Sequence, residues 1–339
     1  MHTDAPGHGA GPTPAIHVNN LTKSFDGFTA VDGISFTIEG GEIFGLLGPN
    51  GAGKTTTISM LATMQKPTSG TATVNGHDIV TDEDNVRRSI GIVFQDQSLD
   101  EELTAYENMD FHGRLYRIGG EERRQRIDEL LTLVELEDRK DDLVKTYSGG
   151  MRRRLEIARG LLHEPKVLFL DEPTLGLDPQ TRNHLWEYIA RLNEEKGITI
   201  ILTTHYMEEA DRLCDRVAII DRGTIIALDT AENLKASIGG DVVTIASVDP
   251  GAIAGLLAAP WISGIECHDG LVTIRLQDAD QHIPGIVTAI HQKGIGITSL
   301  SVHKPTLEDV FLHYTGRTIR EEEASGNEAT RMFHRARRR

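Results

Sequence analysis

The amino-acid sequence predicts an α/β protein whose parallel sheet is covered by helices, with a helical insert and a small α+β module at its end. Three short segments, Glu42–Leu47, Val167–Leu170 and Ile198–Leu202, are almost uniformly apolar, which is typical of strands buried on both faces of a parallel sheet. Residues from about 98 to 163 carry helical patterns instead. The segments after residue 240 alternate between strand and helix patterns, so a second, smaller domain is expected.

The region ahead of the first parallel strand predicts an antiparallel β subdomain. Polar and apolar residues alternate from Ile16 to Ile38, with turns near Gly27 and Gly33, as expected for antiparallel strands with one buried face. Four further segments complete the core by their apolar patterns: a helix at Thr55–Met64 and strands at Ile90–Phe94, Val217–Asp221 and Thr224–Leu228.

The segment from about residue 98 to 163 is predicted to be a helical insert. Its clearest helix has an apolar stripe at the spacing i, i+3, i+4 and i+7, formed by Ile127, Leu130, Leu131 and Val134. Because an apolar strand returns at Val167, the insert is expected to interrupt the α/β core rather than follow it.

The pair Gly239-Gly240 marks the expected boundary of the second domain. The patterns after it predict strands at 242–248, 263–268, 271–276 and 296–303 and helices at 250–258 and 280–292. The order β-α-β-β-α-β is that of a ferredoxin-like module. A last helix is predicted at Thr306–Tyr314, with Leu307, Val310, Phe311 and Tyr314 on one face.

Composition limits the partners that the chain can be expected to bind. The 339 residues suffice for one large domain or two of ordinary size, and their net charge is −16. Such an acidic chain is a poor candidate for broad electrostatic binding to nucleic acid.

The two ends of the sequence are expected to lie outside the folded domains. Residues 1–15 lack the basic start and apolar core of a secretory signal and predict a flexible leader. Residues 317–339 predict a disordered, charged tail.

Cysteines and apolar runs add two expectations. Cys214 and Cys267 lie far apart without metal-ligand spacing, which favours two buried or half-buried thiols in a reducing cytoplasm. No apolar run approaches the ~18 residues that a membrane-spanning helix needs.

A glycine-rich segment after the first parallel strand carries the strongest chemical signal. It has the form G-x-x-x-x-G-K-[ST] and comprises Gly48, Pro49, Asn50, Gly51, Ala52, Gly53, Lys54 and Thr55. Backbone N–H groups of such a loop converge on a phosphate, because glycine has no Cβ to block the approach. The lysine reaches the β- and γ-phosphates, and the hydroxyl ligates Mg²⁺. The strand before the loop and the helix after it favour this role over an ordinary turn.

Two acids end the apolar strand at Val167–Leu170. Side chains alternate along a strand, so Asp171 and Glu172 are expected to point in different directions. Asp171 is expected to face Mg²⁺, directly or through water, and Glu172 to act as the general base that polarises the attacking water. The alternative, two solvated acids at a strand end, is disfavoured by the phosphate loop on the same sheet.

Ser148-Gly149-Gly150 opens a helix of the insert. Serine is a good N-cap, and glycines at a helix start expose backbone donors to an anion. Taken alone, these three residues fit equally well an ordinary helix N-cap that binds no ligand. Since the chain already has a complete phosphate loop, a second anion site on the insert fits a nucleotide held by another subunit.

Together these elements resemble the nucleotide-binding subunits of ABC transporters. The resemblance covers roughly residues 16–238 and rests on six elements in unbroken order: Gly48–Thr55, Gln95, Tyr147–Met151, Leu170–Glu172, Gly176-Leu177-Asp178 and His205. It implies a P-loop NTPase core that binds ATP and Mg²⁺ and hydrolyses ATP in two composite sites of a homodimer. The implied domains are 16–238 for the ATPase and 241–316 for an accessory or dimerisation module.

The resemblance also implies roles for single residues. Phe25 would stack on adenine, Gln95 would sense Mg²⁺ and water and link to the membrane partner, and His205 would contact the γ-phosphate. The implied contacts with the nucleotide also include Thr56, and Ser148, Gly149, Gly150 and Asp178 would act across the dimer. Without the resemblance, Phe25 fits a core position and His205 a structural one.

Two departures and two subfamily features refine this resemblance. Tyr147 and Met151 stand where the common signature has Leu and Gln, but both flank the backbone donors rather than supply them.

The runs Met151–Leu155 and Leu307–Leu312 resemble the daunorubicin-resistance type of ATP-binding subunit. That type works with a separate ABC-2 permease, usually as an exporter of drugs, antibiotics or lipid-like compounds. This implies a peripheral protein on the cytoplasmic side of the membrane. The arginines 152–154 equally fit a solvated helix face.

Two other classes of ATPase stay open at this point. An ATPase associated with nucleic acid or translation usually has two cassettes or long coiled coils, whereas this chain has one cassette and an acidic balance. A P-loop kinase would make the Ser148-Gly149-Gly150 helix incidental. The order and spacing of the motifs favour the transporter subunit.

Overall fold

The computed structural model describes residues 14–257, 259–268 and 270–316. The chain divides after Ile226 into two compact units. Residues 1–13 of the predicted leader and all of the predicted tail, 317–339, lie outside the described residues.

The first unit contains two sheets, whose strands alternate along the chain, and the helices between them; its last strand crosses the division after Ile226. In chain order its elements are β1 (Ile16–Phe25), β2 (Phe28–Ile38), β3 (Ile43–Leu47), α1 (Lys54–Leu61), β4 (Ser69–Val74), β5 (His77–Asp78), α2 (Glu83–Ser89), β6 (Ile90–Val93), α3 (Ala105–Leu115), α4 (Gly120–Leu133), α5 (Gly149–Leu161), β7 (Val167–Asp171), α6 (Pro179–Lys196), β8 (Thr199–Thr204), α7 (Met207–Leu213), β9 (Arg216–Asp221) and β10 (Thr224–Asp229).

A six-stranded sheet forms the centre of this unit and has the order β10-β9-β3-β8-β7-β6. Strand β3 pairs in parallel with β8 and β9, and β7 pairs in parallel with β6 and β8. Every residue of β3, β7 and β8 is buried, as their uniform apolar character predicts. The carboxyl ends of these three strands meet at one edge, so the segments that follow them lie side by side.

A second sheet of the unit is antiparallel, with the order β2-β1-β4-β5. Its long strands β1 and β2 alternate between buried and exposed residues only in part, because the pairing register shifts between Val18 and Ser24. The predicted antiparallel β subdomain is therefore present.

The helical insert consists of α3, α4 and α5. Residues 98–104 are not helical, and α3 begins only at a capping box formed by Thr104 and Glu107. Positive φ angles of 60° at Arg117 and 57° at Glu135 mark the turns that follow α3 and α4, which explains why the predicted helical segment is broken into pieces. Three of the four residues of the predicted stripe, Ile127, Leu131 and Val134, are fully buried, and the fourth, Leu130, is half-buried.

The second unit contains a four-stranded antiparallel sheet of order β12-β13-β11-β14. Its elements are α8 (Ala231–Ile238), β11 (Asp241–Ser247), α9 (Pro250–Leu256), β12 (Ile262–His268), β13 (Leu271–Leu276), α10 (Ala279–Gln292), β14 (Ile297–His303) and α11 (Leu307–Thr315). From β11 to β14 the elements follow the ferredoxin-like order β-α-β-β-α-β, so this part of the predicted fold class is confirmed.

One face of this sheet packs against α9 and α10 around a core that includes Val243, Ile245, Ile253, Val272, Ile274 and Ile286. The contacts place the boundary before α8 rather than at the predicted pair Gly239-Gly240, because α8 packs against α11 within the second unit. On α11, Leu307, Val310 and Phe311 are buried, but Tyr314 is 48% exposed. The predicted apolar face of α11 is therefore buried except at its last residue, Tyr314.

The cysteines differ in their surroundings. Cys214 is buried and Cys267 is exposed, so the expectation of a buried or half-buried thiol is wrong for Cys267, which lies on the edge strand β12. Burial raises the pKa of the Cys214 thiol well above its ordinary value. Within the part of the chain that the structure describes, no helix is both long and apolar enough to cross a membrane.

Candidate active site

The predicted phosphate loop connects β3 to α1 and has the conformation that its glycines allow. Gly53 lies directly before α1 with φ of 108°, and a Cβ there would come 2.5 Å from the Ala30 carbonyl oxygen. A Cβ at Gly48 would lie 2.2 Å from the Ile220 carbonyl oxygen. Since no acidic residue occupies the first turn of α1, the positive end of the helix is available to an anion.

Lys54 is buried at the start of α1 and folds back over the loop. Its ammonium donates hydrogen bonds to the carbonyl oxygens of Gly48, at 2.7 Å, and Pro49, at 3.1 Å. The same nitrogen lies 3.3 Å from a carboxylate oxygen of Glu172. The cation is thus held beside the loop by groups of the chain itself.

Asp171 ends β7 and lies beside the first turn of α1. Its Oδ1 accepts hydrogen bonds from the hydroxyls of Thr55, at 3.2 Å, and Thr203, at 2.5 Å. The Thr55 hydroxyl and the Asp171 carboxylate are hard oxygen donors of the kind that Mg²⁺ takes from proteins. Their direct contact shows that the predicted metal-binding pair is brought together by the fold.

Glu172 points away from Asp171 because the backbone turns sharply after β7. Its φ is 47°, a left-handed conformation that a non-glycine residue adopts at a cost of about 1–3 kcal/mol. The backbone is held there by hydrogen bonds from the Glu172 N–H to the carbonyl and hydroxyl oxygens of Thr203, at 3.2 and 3.0 Å. The two acids therefore have different surroundings, as expected, but the left-handed turn after β7 and not alternation along the strand sets them apart.

His205 follows β8 and contacts the carboxylate oxygen of Glu172 that Lys54 does not. Its Nδ1 lies 3.3 Å from Oε2 of Glu172, and its ring packs against Tyr206 with centroids 4.1 Å apart. Burial raises the pKa of Glu172, but His205 and Lys54 outweigh this effect and leave the pKa below its ordinary value. The Glu172 side chain is therefore ionised at neutral pH.

The remaining residues predicted within one subunit lie around this centre. Ala52 is buried, Asn50 and Gly51 are exposed, and Thr56 is partly buried. Phe25 at the end of β1 is 47% exposed, so the alternative of a core phenylalanine is wrong.

Gln95 follows β6 and is exposed. Among the described residues no hydrogen bond joins its side chain to Thr55 or Asp171, so its predicted part in metal binding stays a prediction.

The predicted signature segment and the Asp178 segment form two adjacent helix starts. Ser148 caps α5 by accepting a hydrogen bond from the Met151 N–H at 3.3 Å. Asp178 caps α6 through the N–H groups of Gln180 and Thr181, and the Thr181 hydroxyl donates to the same carboxylate. A Cβ on Gly150 would lie 2.3 Å from Cγ2 of Thr181, so the two helix starts touch at this point.

Three buried residues near the site are absent from the sequence-based prediction. Thr203 joins Asp171 to the backbone of Glu172, and Arg153 and Glu156 of α5 are 7% and 1% exposed. The alternative of a solvated face is therefore wrong for Arg153. The i, i+3 spacing of Arg153 and Glu156 on an otherwise apolar helix face is the signal that indicates such a pair.

A phosphate loop and two catalytic-type side chains, Glu172 and His205, thus meet at one edge of a parallel sheet that carries a helical insert. This arrangement defines a P-loop ATPase of the cassette type.

Two family models match the chain. The model described as ABC transporter matches residues 31–175, and the model described as ATP-binding protein DrrA1-3-like, C-terminal domain, matches residues 230–315.

Relatives with similar sequences span nearly the whole chain. The daunorubicin resistance ATP-binding protein DrrA3 of Streptomyces coeruleorubidus is 41% identical over 92% of this chain and 99% of the relative. The linearmycin resistance ATP-binding protein LnrL of Bacillus subtilis is 40% identical over 90% of this chain and 100% of the relative. The Nod factor export ATP-binding protein I of Ralstonia nicotianae is 41% identical over 93% of this chain and 98% of the relative. The chain belongs to the ATP-binding proteins of ABC transporters.

Solved structures support the same fold. CbiO1 from Clostridium perfringens, described as part of the ABC transporter complex cbiONQ, superposes with a TM-score of 0.62 and 32% identity over 66% of this chain and 91% of that chain. The ATP-binding cassette MJ0796, in a dimeric post-hydrolysis state with ADP and Pi, gives a TM-score of 0.57 and 30% identity over 63% of this chain and 98% of that chain. The predicted ATPase and the predicted daunorubicin-resistance type are confirmed.

Proposed function

We propose that two copies of the chain bind two ATP molecules between them and use their hydrolysis to drive export through a separately encoded ABC-2 permease. The observation that carries this proposal is the contact of one buried carboxylate, Glu172, with both Lys54 and His205. The same groups that would bind the γ-phosphate surround the group that would activate water.

Within one subunit each residue has a distinct role. Backbone N–H groups of residues 48–53 and the Lys54 ammonium bind the β- and γ-phosphates, while Phe25 stacks on adenine. Glu172 accepts a proton from the attacking water, because its lowered pKa keeps it ionised. His205 contacts the γ-phosphate from the neighbouring strand end.

Thr55, Asp171 and Gln95 are the residues proposed to hold Mg²⁺. When bound, this ion neutralises negative charge on the phosphate oxygens. The contact between Thr55 and Asp171 supports two members of this set. The Thr203 hydroxyl donates to the same Oδ1 of Asp171 and so helps to hold the carboxylate in place at the end of β7.

The second half of each site comes from the partner copy. Ser148, Gly149 and Gly150 offer the start of α5 to the γ-phosphate, and Asp178 lies at the neighbouring helix start. The dimeric state of the MJ0796 cassette with ADP and Pi supports this arrangement. ATP then adds charge-assisted hydrogen bonds across the interface, and hydrolysis weakens them.

Export of a drug, antibiotic or lipid-like compound is the transport proposed for the complex. The names of the relatives, which refer to daunorubicin resistance, linearmycin resistance and Nod factor export, support this class of cargo.

The proposed location of the chain is the cytoplasmic side of the cell membrane, where it would bind its permease and no nucleic acid. The second unit is proposed as an accessory module that adds to the dimer contact.

The dimer is tested with Glu172→Gln, which we expect to bind ATP but to hydrolyse it slowly. Light scattering of this variant with Mg-ATP is expected to give the mass of two chains, and with Mg-ADP the mass of one. A variant that stays monomeric in saturating Mg-ATP, even with its permease present, contradicts the composite site.

The partner is tested by affinity capture of the tagged full chain from membranes of its own cell. Recovery of a polytopic membrane protein supports the transporter subunit. Recovery of ribosomes or DNA instead supports an ATPase linked to nucleic acid, and phosphate transfer to an added acceptor without dimer formation supports a kinase.

A further inference from the structure

The side chain of Arg153 joins α5 to the end of the strand that carries both catalytic acids. It lies five residues after the Ser148 cap and is 7% exposed. Its Nε donates to the Pro173 carbonyl at 2.9 Å, and one terminal nitrogen donates to the carbonyls of Asp171, at 2.8 Å, and Glu172, at 3.2 Å. The guanidinium thus binds three consecutive carbonyl oxygens where β7 ends.

The other terminal nitrogen of Arg153 joins the same helix to the loop that contains Gln95. It donates to the Phe94 carbonyl at 2.5 Å and to the Glu156 carboxylate at 3.0 Å. The second oxygen of Glu156 accepts from the Ser98 N–H at 2.8 Å. Phe94 and Ser98 flank residues 95–97, so Arg153 and Glu156 together hold both ends of the Gln95 loop.

Burying the ion pair of Arg153 and Glu156 between α5 and the end of β7 costs free energy of desolvation. Removing two charges from water costs several kcal/mol per ion, and well-packed apolar residues would often give equal stability. Arg153 does, however, satisfy the carbonyls of Asp171, Glu172 and Pro173 at the left-handed turn that follows β7. A planar guanidinium with five fixed donors suits such a set of acceptors, and a lysine ammonium does not.

We propose that Arg153 and Glu156 are positioning residues for hydrolysis. They hold the Glu172 carboxylate and the Gln95 loop at a fixed place relative to the Ser148 helix start. Contact between Ser148 and a nucleotide of the partner subunit is thereby transmitted to the base in its own subunit. This inference rests on the two-subunit site proposed above.

The test separates binding from chemistry in the full chain. Arg153→Met removes every donor but keeps most of the side-chain volume. We expect Mg-ATP affinity to stay within about threefold of the unchanged chain and turnover to fall about 10²-fold, since a small misplacement of a catalytic group has effects of that size. Arg153→Lys keeps the positive charge but not the planar arrangement of guanidinium donors. It is expected to recover less than half of the turnover that Arg153→Met loses.

Glu156→Gln is a second variant that keeps an acceptor for the Ser98 N–H. We expect it to retain Mg-ATP affinity and to lose turnover about tenfold, because only the charge that orients Arg153 is removed. It also keeps the proposal testable if Arg153→Met does not fold.

Arg126→Gln provides the matched control. Arg126 is another arginine of the insert that bonds both a backbone carbonyl and carboxylates, but its side chain is 21% exposed and it donates to the Leu162 carbonyl and to Glu122 and Glu164, away from β7. At temperatures that leave each variant equally folded, Arg126→Gln should keep its turnover. Equal losses of turnover in Arg126→Gln and Arg153→Met would show that Arg153 has only a structural role, and the proposal would then be wrong.

Dimer formation distinguishes failure of this inference from failure of the proposed function. The double variant Arg153→Met with Glu172→Gln should still form the Mg-ATP dimer. If Glu172→Gln alone forms no dimer, the two-subunit site is wrong whatever Arg153 does. If the dimer forms and Arg153→Met hydrolyses ATP within about twofold of the unchanged chain, the positioning role is wrong.

Discussion

The Lys54 ammonium lies 3.3 Å from the Glu172 carboxylate, and both side chains are more than nine-tenths buried. The cation that we propose to bind phosphate and the acid that we propose to activate water thus form an ion pair. Because a γ-phosphate bound at Lys54 would compete with Glu172 for the ammonium, we expect nucleotide binding to weaken this ion pair.

Replacement of the base should separate hydrolysis from binding. In Glu172→Gln the side-chain shape is kept, but the amide cannot accept a proton from water. We expect turnover to fall about 10²–10⁴-fold, the usual size of a general-base effect, with Mg-ATP affinity retained. Phosphate release measures the first quantity and a nucleotide titration the second.

Glu187→Gln is the control for that substitution, since Glu187 on α6 has a side chain that is 64% exposed. It should hydrolyse ATP normally. Unchanged turnover in Glu172→Gln would refute the assignment of the base.

Removal of the loop lysine should weaken nucleotide binding. Lys54→Ala loses charge-assisted hydrogen bonds, each worth about 1.5–3 kcal/mol, which corresponds to a loss of affinity of about 10- to 100-fold. Fluorescent-ATP titration measures it. Lys66→Ala, at a lysine whose side chain is 75% exposed, should bind as the unchanged chain does, and equal affinity in the two variants would contradict the role of Lys54.

The contact between Gly150 and Thr181 gives a prediction about stability. An alanine at 150 would overlap Cγ2 of Thr181, which cannot rotate away freely because its hydroxyl is bonded to Asp178 at 2.6 Å. Gly150→Ala is therefore expected to destabilise the chain by about 1–3 kcal/mol, measured by chemical unfolding.

Thr181→Ser in the same chain removes the overlapping methyl group and keeps the hydroxyl. The double variant should recover most of the lost stability, while Thr181→Ser alone should change it little. A double variant as unstable as Gly150→Ala would show that the overlap is not the cause.

Acid should destabilise the chain partly through His112. Burial, together with Arg159 and His163, lowers the pKa of His112 from 6.5 to about 4. Because the unfolded state takes up a proton near pH 6.5 and the folded state only near pH 4, the stabilising effect of the neutral ring is complete above pH 6.5 and is lost as the pH falls towards 4. Urea unfolding between pH 7 and 4 measures this.

His112→Phe keeps an aromatic ring beside Tyr116 and should make the free energy of unfolding less dependent on pH in this range. His184→Phe, at a histidine whose side chain is 71% exposed, should leave the slope unchanged. Equal slopes for His112→Phe and the unchanged chain would exclude His112 as a source of acid sensitivity.

The sequence was sufficient for the elements whose signals are local. The loop around Lys54 and the apolar strand before Asp171 follow from residue type and spacing, because the strand needs burial on both faces and the loop needs glycine. The ferredoxin-like order of the second unit also follows from pattern alone. In contrast, the exposure of Tyr314 depends on how far the α11 face is covered, which no periodicity reveals.

Sequence by itself determined that a nucleotide-binding edge exists and which acids and histidine lie on it, since parallel strands bring their carboxyl ends together. Only the tertiary structure decided that Glu172 pairs with Lys54, that the Thr203 hydroxyl bonds both the Asp171 carboxylate and the Glu172 N–H, and that Arg153 is buried rather than solvated. These contacts join residues that lie far apart in the chain. Each depends on how far the charged groups are removed from water and on which backbone carbonyls lack a partner within the sheet. A local sequence pattern specifies neither of these.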